Sequence, residues 1–432
     1  MLRDVEHVPI PVEVSSDAGS SLADFLRSRG ISRLLVLCDG NTYRAYGESL
    51  EADLERASLS CATVRLESPP VLATEERVVE SFIGLSPEIE AVCSVGGGTV
   101  TDIGRFLAHR GKRPFISVPT AASVDGFYSI GAPLILKGVK RTVICRPPDA
   151  LFADPAVLLQ APRSLSASGL GDLIGKITSW ADWNLGALLW DEPYDPGISD
   201  RLRDIAIRSM KLAPRLSAPS QKDAADLLSL LIESGACMVD AGESRPASGA
   251  EHHLSHYWEM SFLAQGEEPP LHDAKVGYAT QIVTALYRNL MSIEEEEARD
   301  RLVQRVSDPK TGLSEIYDGY PESIARQLER DQQAFLSITQ EAEMALRQSI
   351  ARRWAAVRGL ATQLPETTEV SALLKSAGAP RTAEEVGMDP ESVTKGLRYA
   401  DYLRNRFTIL KLYRLLGIDP EPVAREALGG SF

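Results

Sequence analysis

The sequence has few cysteines, and their spacing excludes two common uses of the thiol. Five cysteines occur among 432 residues, and none forms a CxxC pair. A disulfide framework or a thiolate zinc site would need paired or closely spaced cysteines. We therefore predict that all five are reduced packing residues.

Long apolar runs are also missing. No segment supplies the roughly 18 uninterrupted apolar residues that a membrane-spanning helix needs. Residues 1–7 carry mixed charge and lead into no apolar core of the secretory type. We expect a cytoplasmic protein without membrane insertion.

The third feature that the sequence lacks is an excess of positive charge. The 46 lysines and arginines are outnumbered by 60 aspartates and glutamates, which gives a net charge of −14. Contacts with phosphates dominate nucleic-acid affinity, so nucleic acid is not an expected partner. A small anionic substrate would need a local basic pocket.

Length and periodicity predict two domains. Up to about residue 160, short apolar runs alternate with amphipathic segments, as in a βαβ sheet. The predicted strands are 34–39, 62–66, 91–95, 115–119 and 150–154, with a hairpin at 132–144 around Lys137-Gly138. Apolar residues then recur with a period of 3.6, which predicts helices at 175–189, 199–212, 223–237, 276–290 and 399–416. We expect an α/β domain over residues 1–160 and an all-α domain over residues 161–432.

A glycine-rich turn, Gly96-Gly-Gly-Thr-Val-Thr-Asp102, follows the predicted strand 91–95 and precedes a predicted helix. Backbone N–H groups at such a turn can approach a pyrophosphate closely, and the helix dipole favours its negative charge. Thr101 occupies the third glycine position of GxGxxG, so the dinucleotide pattern is incomplete. A purely structural turn explains this motif about as well as a phosphate site does.

Polar residues follow two other predicted strands. The loop Thr120-Ala-Ala-Ser-Val-Asp-Gly126 lies where ligands of open α/β sheets bind, and its hydroxyl groups can contact phosphate or ribose. Asp125 can accept from a substrate hydroxyl, although an Asx or Ser/Thr turn is the alternative. Asp39 ends the first predicted strand, where a carboxylate can bind an adenosine ribose.

Four of the six histidines, His252, His253, His256 and His272, lie within a short segment of the sequence. His252 and His256 are four residues apart, so a helix would place both on one face. This clustering favours metal binding or catalysis over a structural role. A catalytic metal commonly adds a carboxylate ligand, and Asp172 is the best candidate. It lies in Ser168-Gly-Leu-Gly-Asp172, where we expect a helix to begin, and an ordinary N-terminal helix residue is the alternative.

Together these motifs resemble the sn-glycerol-1-phosphate dehydrogenases, in the superfamily of iron-type alcohol dehydrogenases, glycerol dehydrogenase and dehydroquinate synthase. The matching segments occur in family order between about residues 30 and 290. They are Gly96–Asp102, Ser117–Gly126, Gly169-Leu-Gly-Asp172, Ser244-Arg-Pro-Ala-Ser-Gly-Ala-Glu-His-His-Leu-Ser-His256 and Leu271-His272-x-x-Lys-Val-Gly277.

The resemblance implies a dehydroquinate synthase-like fold, in which the α/β domain binds NAD or NADP and the helical domain binds metal and substrate. It implies one divalent ion (zinc, nickel or iron) held by Asp172, His252 and His272, while Asp125, Asp172 and His256 face the substrate. The implied cofactor contacts are Asp39, Gly96, Gly97, Gly98, Thr99, Val100, Thr120, Ala121, Ala122, Ser123 and Ser129. A homodimer and a place in phospholipid biosynthesis are implied as well.

The implied reaction interconverts dihydroxyacetone phosphate and sn-glycerol 1-phosphate. Arg245 and Lys275 stand beside the ligand blocks, so they are candidate cations for the substrate phosphate. Asp273 departs from the family pattern, because glycine usually follows the metal-binding histidine. The alternatives are a dehydrogenase for an unphosphorylated polyol such as glycerol, a lyase of the dehydroquinate-synthase kind, and a non-catalytic nucleotide-binding relative.

Overall fold

In a computed structural model, which describes residues 8–67, 71–136, 139–304 and 309–432, the chain divides into two compact units. The first unit contains the described residues up to Leu173 together with Lys211–Ser244. The second contains Ile174–Met210 and Arg245–Phe432. The predicted boundary near residue 160 rested on the change from strand-like to helix-like sequence patterns. The first unit of the structure also includes the later helical segment Lys211–Ser244. The predicted turn residues Lys137-Gly138 lie outside the described residues.

The first unit is built on a parallel sheet, which has six strands among the described residues. Its order is β1-β8-β5-β4-β2-β3, and β6 pairs with β7 in a separate antiparallel ribbon. The strands are β1 (Val12–Val14), β2 (Arg33–Asp39), β3 (Ser60–Leu66), β4 (Ala91–Gly96), β5 (Phe115–Pro119), β6 (Gly131–Leu136), β7 (Val139–Ile144) and β8 (Ala150–Ala153). All the predicted strands are confirmed, and the short β1 was not predicted.

The α-helices fall into an N-terminal set and a longer C-terminal set. The first set is α1 (Ala18–Ser28), α2 (Gly40–Thr42), α3 (Glu48–Arg56), α4 (Glu75–Ile83), α5 (Gly98–Gly111) and α6 (Pro155–Gln160). The second set is α7 (Arg163–Trp190), α8 (Pro196–Leu212), α9 (Gln221–Ala241), α10 (Ala250–Ala264), α11 (His272–Asn289), α12 (Glu295–Gln304), α13 (Pro309–Gly319), α14 (Glu322–Asp331), α15 (Gln333–Leu336), α16 (Gln340–Arg352), α17 (Trp354–Ala361), α18 (Thr367–Ser376), α19 (Ala383–Val386), α20 (Pro390–Tyr399), α21 (Ile409–Leu416) and α22 (Pro420–Leu428).

Side chains of β2 alternate between two apolar layers, because successive residues of a strand point to opposite faces. Val36 packs in one layer with residues of α1 and α3, including Leu22 and Leu54. Leu37 packs in another layer, which includes Ile103 of α5. Helices thus cover both faces of the sheet, which explains why its strands read as continuous apolar runs.

Two predictions about helices were wrong. Asp172 was expected at the start of a helix, but α7 begins at Arg163 and carries Asp172 in its interior. The predicted helix 399–416 is broken, since α20 ends at Tyr399 and α21 begins at Ile409. Backbone N–H groups of Phe407 and Ile409 donate to buried carboxylates at 2.6 and 2.7 Å, so they cannot continue a helical ladder.

Helices α10 and α11 pack against each other inside the second unit, and most of α11 is buried. All five tryptophans of the chain lie in this unit, at positions 180, 183, 190, 258 and 354. None of the five cysteines, all of which lie in the described residues, forms a disulfide, and all except Cys61 are buried. No helix within the described parts of the chain has both the length and the apolar character needed to cross a bilayer.

Candidate functional site

The carboxyl ends of three adjacent strands, β2, β4 and β5, bring several predicted residues to one edge of the sheet. Asp39 ends β2, Gly96 ends β4, and Pro119, which pairs with Gly96, ends β5 just before Thr120. From β2 the chain continues to β3 on one side and later to β4 on the other. Ligands of open α/β sheets bind outside the carboxyl ends at such a switch point.

The glycine-rich turn leaves space at the first turn of α5. A Cβ atom built on Gly97 would meet no heavy atom of the described residues within 4 Å, whereas one on Gly98 would lie 3.0 Å from Val124. Gly97 is the N-cap and offers no side-chain cap to the first N–H groups. This open helix N-terminus has the room and the N–H groups that a phosphate site needs, which is one of the two explanations that the sequence leaves open.

The other predicted cofactor contacts lie in the same unit, and they differ in how far their polar groups are already used in hydrogen bonds within the protein. Thr120, Ala121, Ala122 and Ser123 are all buried, and Ser129 donates to the carbonyl of Gly131 at 3.3 Å. Asp39 caps α2, because its Oδ1 accepts from the amides of Asn41 and Thr42 at 2.7 and 2.9 Å. One carboxylate oxygen of Asp39 therefore already has a structural role.

Asp125 and Asp172 lie together in the first unit. The amide of Asp125 donates to Asp172 Oδ2 at 3.2 Å, and Ser234 Oγ donates to Asp125 Oδ2 at 2.9 Å. Arg105 fixes the same loop, since its buried guanidinium donates to the carbonyls of Gly126, Phe127 and Gly131. Two of the predicted substrate-facing carboxylates are thus brought together.

In the second unit, α10 and α11 bring the predicted histidines into one cluster. The ring centre of His272 lies 5.6 Å from that of His252 and 4.8 Å from that of His256, and the two α10 rings are 6.2 Å apart. His253, on another face of α10, is fully buried, and burial keeps its pKa well below the ordinary value. Three imidazoles therefore gather, while the fourth is a neutral core residue.

Glu251 holds His252 in place. Its Oε1 lies 2.8 Å from His252 Nδ1 and accepts from the amide of Gly249 at 2.7 Å, while Oε2 accepts from Thr178 at 2.8 Å. Histidines that bind metals commonly donate their second ring N–H to a carboxylate, which fixes the tautomer. With Nδ1 bonded to Glu251, Nε2 is the nitrogen whose lone pair suits a metal ion.

Two further carboxylates flank His272. Its Nδ1 lies 3.6 Å from Glu259 Oε2, and its Nε2 lies 3.6 Å from Asp273 Oδ1. His256, Glu259 and His272 each offer a donor atom, and these atoms lie within 4.8 Å of one another. These donor types and separations fit a divalent transition-metal ion.

The two candidate phosphate-binding cations have protein partners. Arg245 pairs with Glu192 across 2.7 Å, and its side chain is 17% exposed. Lys275 is fully buried, and its ammonium group donates to the carbonyl of Pro270. Arg245 is therefore the more accessible of the two.

Comparison with known proteins gives a nearly full-length match. The chain is 35% identical to the glycerol-1-phosphate dehydrogenase (NAD(P)+) of Geobacillus stearothermophilus, with 94% of this chain and 93% of that protein covered. The protein of the same name from Bacillus subtilis is 33% identical over 94% of this chain and 92% of its own length. This chain belongs to the glycerol-1-phosphate dehydrogenase family. Residues 13–162 also match the model of the iron-containing alcohol dehydrogenases, which confirms the superfamily predicted from the motifs.

Solved structures with the same fold have much lower sequence identity to this chain. Maleylacetate reductase from Agrobacterium tumefaciens has a TM-score of 0.61 at 16% identity and covers 98% of this chain and 97% of its own. Butanol dehydrogenase A from Thermotoga maritima has a TM-score of 0.58 at 17% identity and covers 99% of both chains. The predicted fold class, an α/β domain followed by a helical domain, is confirmed.

Sequence reasoning missed Glu251 and Glu259. Both stand in the same helical block as the predicted histidines, Glu251 directly before His252 and Glu259 three residues after His256. The three-residue spacing was a usable signal, because residues three apart are neighbours on a helix surface. The contact between Glu259 and His272 joins two helices, so no local pattern encodes it.

Proposed function

We propose that this protein interconverts dihydroxyacetone phosphate and sn-glycerol 1-phosphate with NAD or NADP and a divalent ion, as a cytoplasmic homodimer. The observation that carries the proposal is the gathering of His252, His256 and His272 beside buried carboxylates. The names of the near full-length relatives support the choice of substrate and cofactor. A role in phospholipid biosynthesis accompanies this activity.

In the proposed mechanism, Asp172, His252 and His272 hold the ion, which is zinc, nickel or iron. When bound, the ion supplies Lewis-acid polarisation of the C2 oxygen. Glu251 presents His252 in one tautomer, and the amide of Asp125 orients the Asp172 carboxylate. These contacts reduce the reorganisation that ion binding requires.

The remaining proposed roles concern the substrate and the nucleotide. Asp125, fixed by Ser234, positions a substrate hydroxyl, and His256 moves the proton of the C2 hydroxyl. Gly96, Gly97, Gly98, Thr99 and Val100 bind the pyrophosphate. Thr120, Ala121, Ala122, Ser123 and Ser129 contact the rest of the nucleotide, and Asp39 contacts the adenosine ribose. Arg245 binds the substrate phosphate, with Lys275 as the second candidate.

The test is an assay of the purified protein with dihydroxyacetone phosphate and NADH or NADPH, followed at 340 nm. We expect oxidation of the nucleotide, formation of sn-glycerol 1-phosphate rather than its enantiomer, and loss of turnover after chelation that added ion restores. The double variant His252→Ala/His272→Ala should lose both ion and turnover. Equal rates with glycerol and glycerol 1-phosphate would instead identify a polyol dehydrogenase.

A further inference from the structure

The segment between α20 and α21 carries an arginine, Arg404, that the sequence analysis did not single out. Arg404 belongs to the second unit and is partly exposed. Burial lowers the pKa of its guanidinium, and no ion pair or side-chain hydrogen bond to it occurs within the described ranges of the chain. A cation that protein partly surrounds is costly unless an anion compensates it. Arg404 is therefore a candidate contact for an anionic ligand.

This segment lies against α10, the helix that carries the predicted site histidines other than His272. Arg406 Nη1 donates to the carbonyl of Ser248 at 2.7 Å, and Ser248 stands two residues before the start of α10. The turn Ala400–Tyr402 also packs on α10. Burial is the main cause of the low pKa of His253 on α10, and the charges of Arg406 and Arg404 lower it further. Both guanidinium groups are thus within electrostatic reach of this helix.

Three buried residues of this neighbourhood have polar atoms without a hydrogen-bond partner among the described residues. The atoms are Ser248 Oγ, Thr408 Oγ1 and both ring nitrogens of His253, and each of these residues is at most 5% exposed. Buried polar groups in folded proteins are normally hydrogen-bonded. A ligand with several acceptor oxygens, such as a phosphate group, would supply partners for such hydroxyl groups.

Glu192 distinguishes the roles of two arginines. Its Oε1 accepts from the amide of Phe407 at 2.6 Å, and its Oε2 pairs with Arg245 at 2.7 Å. A carboxylate therefore already neutralises Arg245 and links it to the segment that contains Arg404. A phosphate monoester carries about two negative charges at neutral pH, so it needs more positive charge than the paired Arg245 supplies. Arg404 brings that charge.

We propose that Arg404 binds the phosphate group of the substrate, with Ser248 Oγ as a second donor and Arg245 beside them. A planar guanidinium can offer two parallel N–H donors to phosphate oxygens. The inference rests on the proposed function, because it concerns the phosphate of the same substrate. It adds a contact from the C-terminal part of the chain, where none of the matching sequence segments lies. In a chain of net charge −14, this local group of arginines attracts an anionic substrate.

The test measures binding of sn-glycerol 1-phosphate and of inorganic phosphate to the full-length protein by calorimetry. The variant is Arg404→Ala, and Arg352→Ala is the matched control, because it removes the same charge from an exposed position of α16 in the second unit. We expect Arg404→Ala to weaken binding of both phosphate compounds at least ~10-fold. Its kcat/KM for dihydroxyacetone phosphate should fall by a similar factor relative to that for unphosphorylated dihydroxyacetone. Arg352→Ala should change none of these values.

Two further variants separate loss of the contact from a folding defect. Arg404→Lys keeps the charge but loses the planar fork, so its affinity for phosphate should lie between those of wild type and Arg404→Ala. Ser248→Ala removes a hydroxyl group that has no protein partner among the described residues. It should therefore weaken phosphate binding at least ~3-fold without lowering the melting temperature.

Unchanged affinity for both phosphate compounds in a folded Arg404→Ala variant would overturn the inference, and wild-type turnover of dihydroxyacetone phosphate by that variant would leave the proposed function standing. Equal losses in Arg404→Ala and Arg352→Ala would also overturn it, because they would reflect net charge alone. A wild-type protein that binds inorganic phosphate through Arg404 but does not oxidise NADH with dihydroxyacetone phosphate would refute the proposed function and keep Arg404 as a phosphate ligand.

Discussion

Glu251 is fully buried, and its two oxygens take part in three contacts, one of them with the ring of His252. A carboxylate in this position fixes the ring orientation and raises the basicity of the ligating nitrogen. Its partners Gly249 and Thr178 hold the carboxylate from both sides. The geometry of His252 is therefore set before any ion arrives.

We expect Glu251→Gln to weaken binding of Zn²⁺ about 10- to 100-fold, because the amide keeps the shape but loses the charge that supports His252. Competition with a chromophoric chelator measures the affinity. Thr178→Val is the matched control, since it removes one donor to Glu251 and leaves the carboxylate, and its effect should be smaller. Equal affinities for wild type and Glu251→Gln would contradict this role.

Arg245→Ala should raise KM for glycerol 1-phosphate, because the phosphate would lose a charge-assisted contact. The same variant also leaves Glu192 without its ion-pair partner, which is a structural effect. Glu192→Gln separates the two causes, as it breaks the ion pair and keeps the cation. A KM that rises equally in both variants would indicate that Arg245 acts only through Glu192.

Asp182 links pH to stability in the second unit. Its carboxylate accepts from Ala250 N at the first turn of α10, from Ile409 N and from Tyr287 Oη, each at 2.7 Å. Burial, with the nearby charge of Glu251, raises the pKa of Asp182 to about 7. The folded state therefore binds the proton more tightly than the unfolded state, whose ordinary pKa is about 3.9.

This stabilisation is fully present below the unfolded pKa and is lost as the pH rises through about 7. Asp182→Asn cannot titrate, so the difference in unfolding free energy between wild type and variant should shrink from pH 5 to pH 7. The slope is limited to about 1.4 kcal/mol per pH unit for one proton. Urea titrations of chelator-treated protein at each pH supply the measurement, and a pH-independent difference would contradict the shifted pKa.

At the level of elements, the glycines of two helices have different physical roles. A Cβ on Gly97 at the start of α5 would stand in open space, while one on Gly169 inside α7 would lie 2.3 Å from the carbonyl oxygen of Ala122. The first position leaves room that a ligand can fill. The second allows α7 to approach the loop that contains Ala122 and Ser123.

Gly97→Ala should leave the melting temperature within a degree or two, because its φ of −82° is ordinary for alanine and no clash arises. The same methyl group would occupy space beside the pyrophosphate, so we expect at least ~10-fold weaker NADH binding in a fluorescence titration. Gly169→Ala is the contrasting variant, because the clash with Ala122 should lower the melting temperature as well. Unchanged NADH affinity in Gly97→Ala would remove the glycine turn from the nucleotide site.

Local patterns predicted every described strand except β1 and the long helices α7, α8, α9 and α11, but not where these helices begin. The helix predicted over 276–290 continues N-terminally to His272, and the one over 175–189 begins at Arg163. The predicted helix 399–416 failed for a tertiary reason, since two of its amides bind carboxylates of Glu192 and Asp182 far away in the sequence. Periodicity reports which face of a segment is apolar, but it carries no information on such distant partners.

At the level of the whole molecule, the same limit applies to domain organisation. The change near residue 160 from short apolar runs to a 3.6-residue period separates predicted strands from predicted helices. Helix α9 nevertheless belongs to the unit that contains the sheet. Its Gly235 explains why, because a Cβ there would lie 2.0 Å from the carbonyl oxygen of Tyr128. Asp172 and the histidines were predicted individually, whereas Glu259 required the packing of α11 against α10.

Removal of the metal should destabilise the second unit more than the first, because two of the three proposed ligands, His252 and His272, belong to the second unit. A ligand that binds only the folded state at 100 times its Kd adds about 2.7 kcal/mol. Calorimetric scans with and without chelator should therefore show one transition that shifts with Zn²⁺ and one that shifts less. Scans that are identical with and without Zn²⁺ would contradict a metal site in this unit.

The confinement of all five tryptophans to the second unit gives the protein a built-in optical label. Excitation near 295 nm reports on that unit alone, with no mutation or dye. Emission and calorimetry recorded on one sample would therefore assign each melting transition to its own unit.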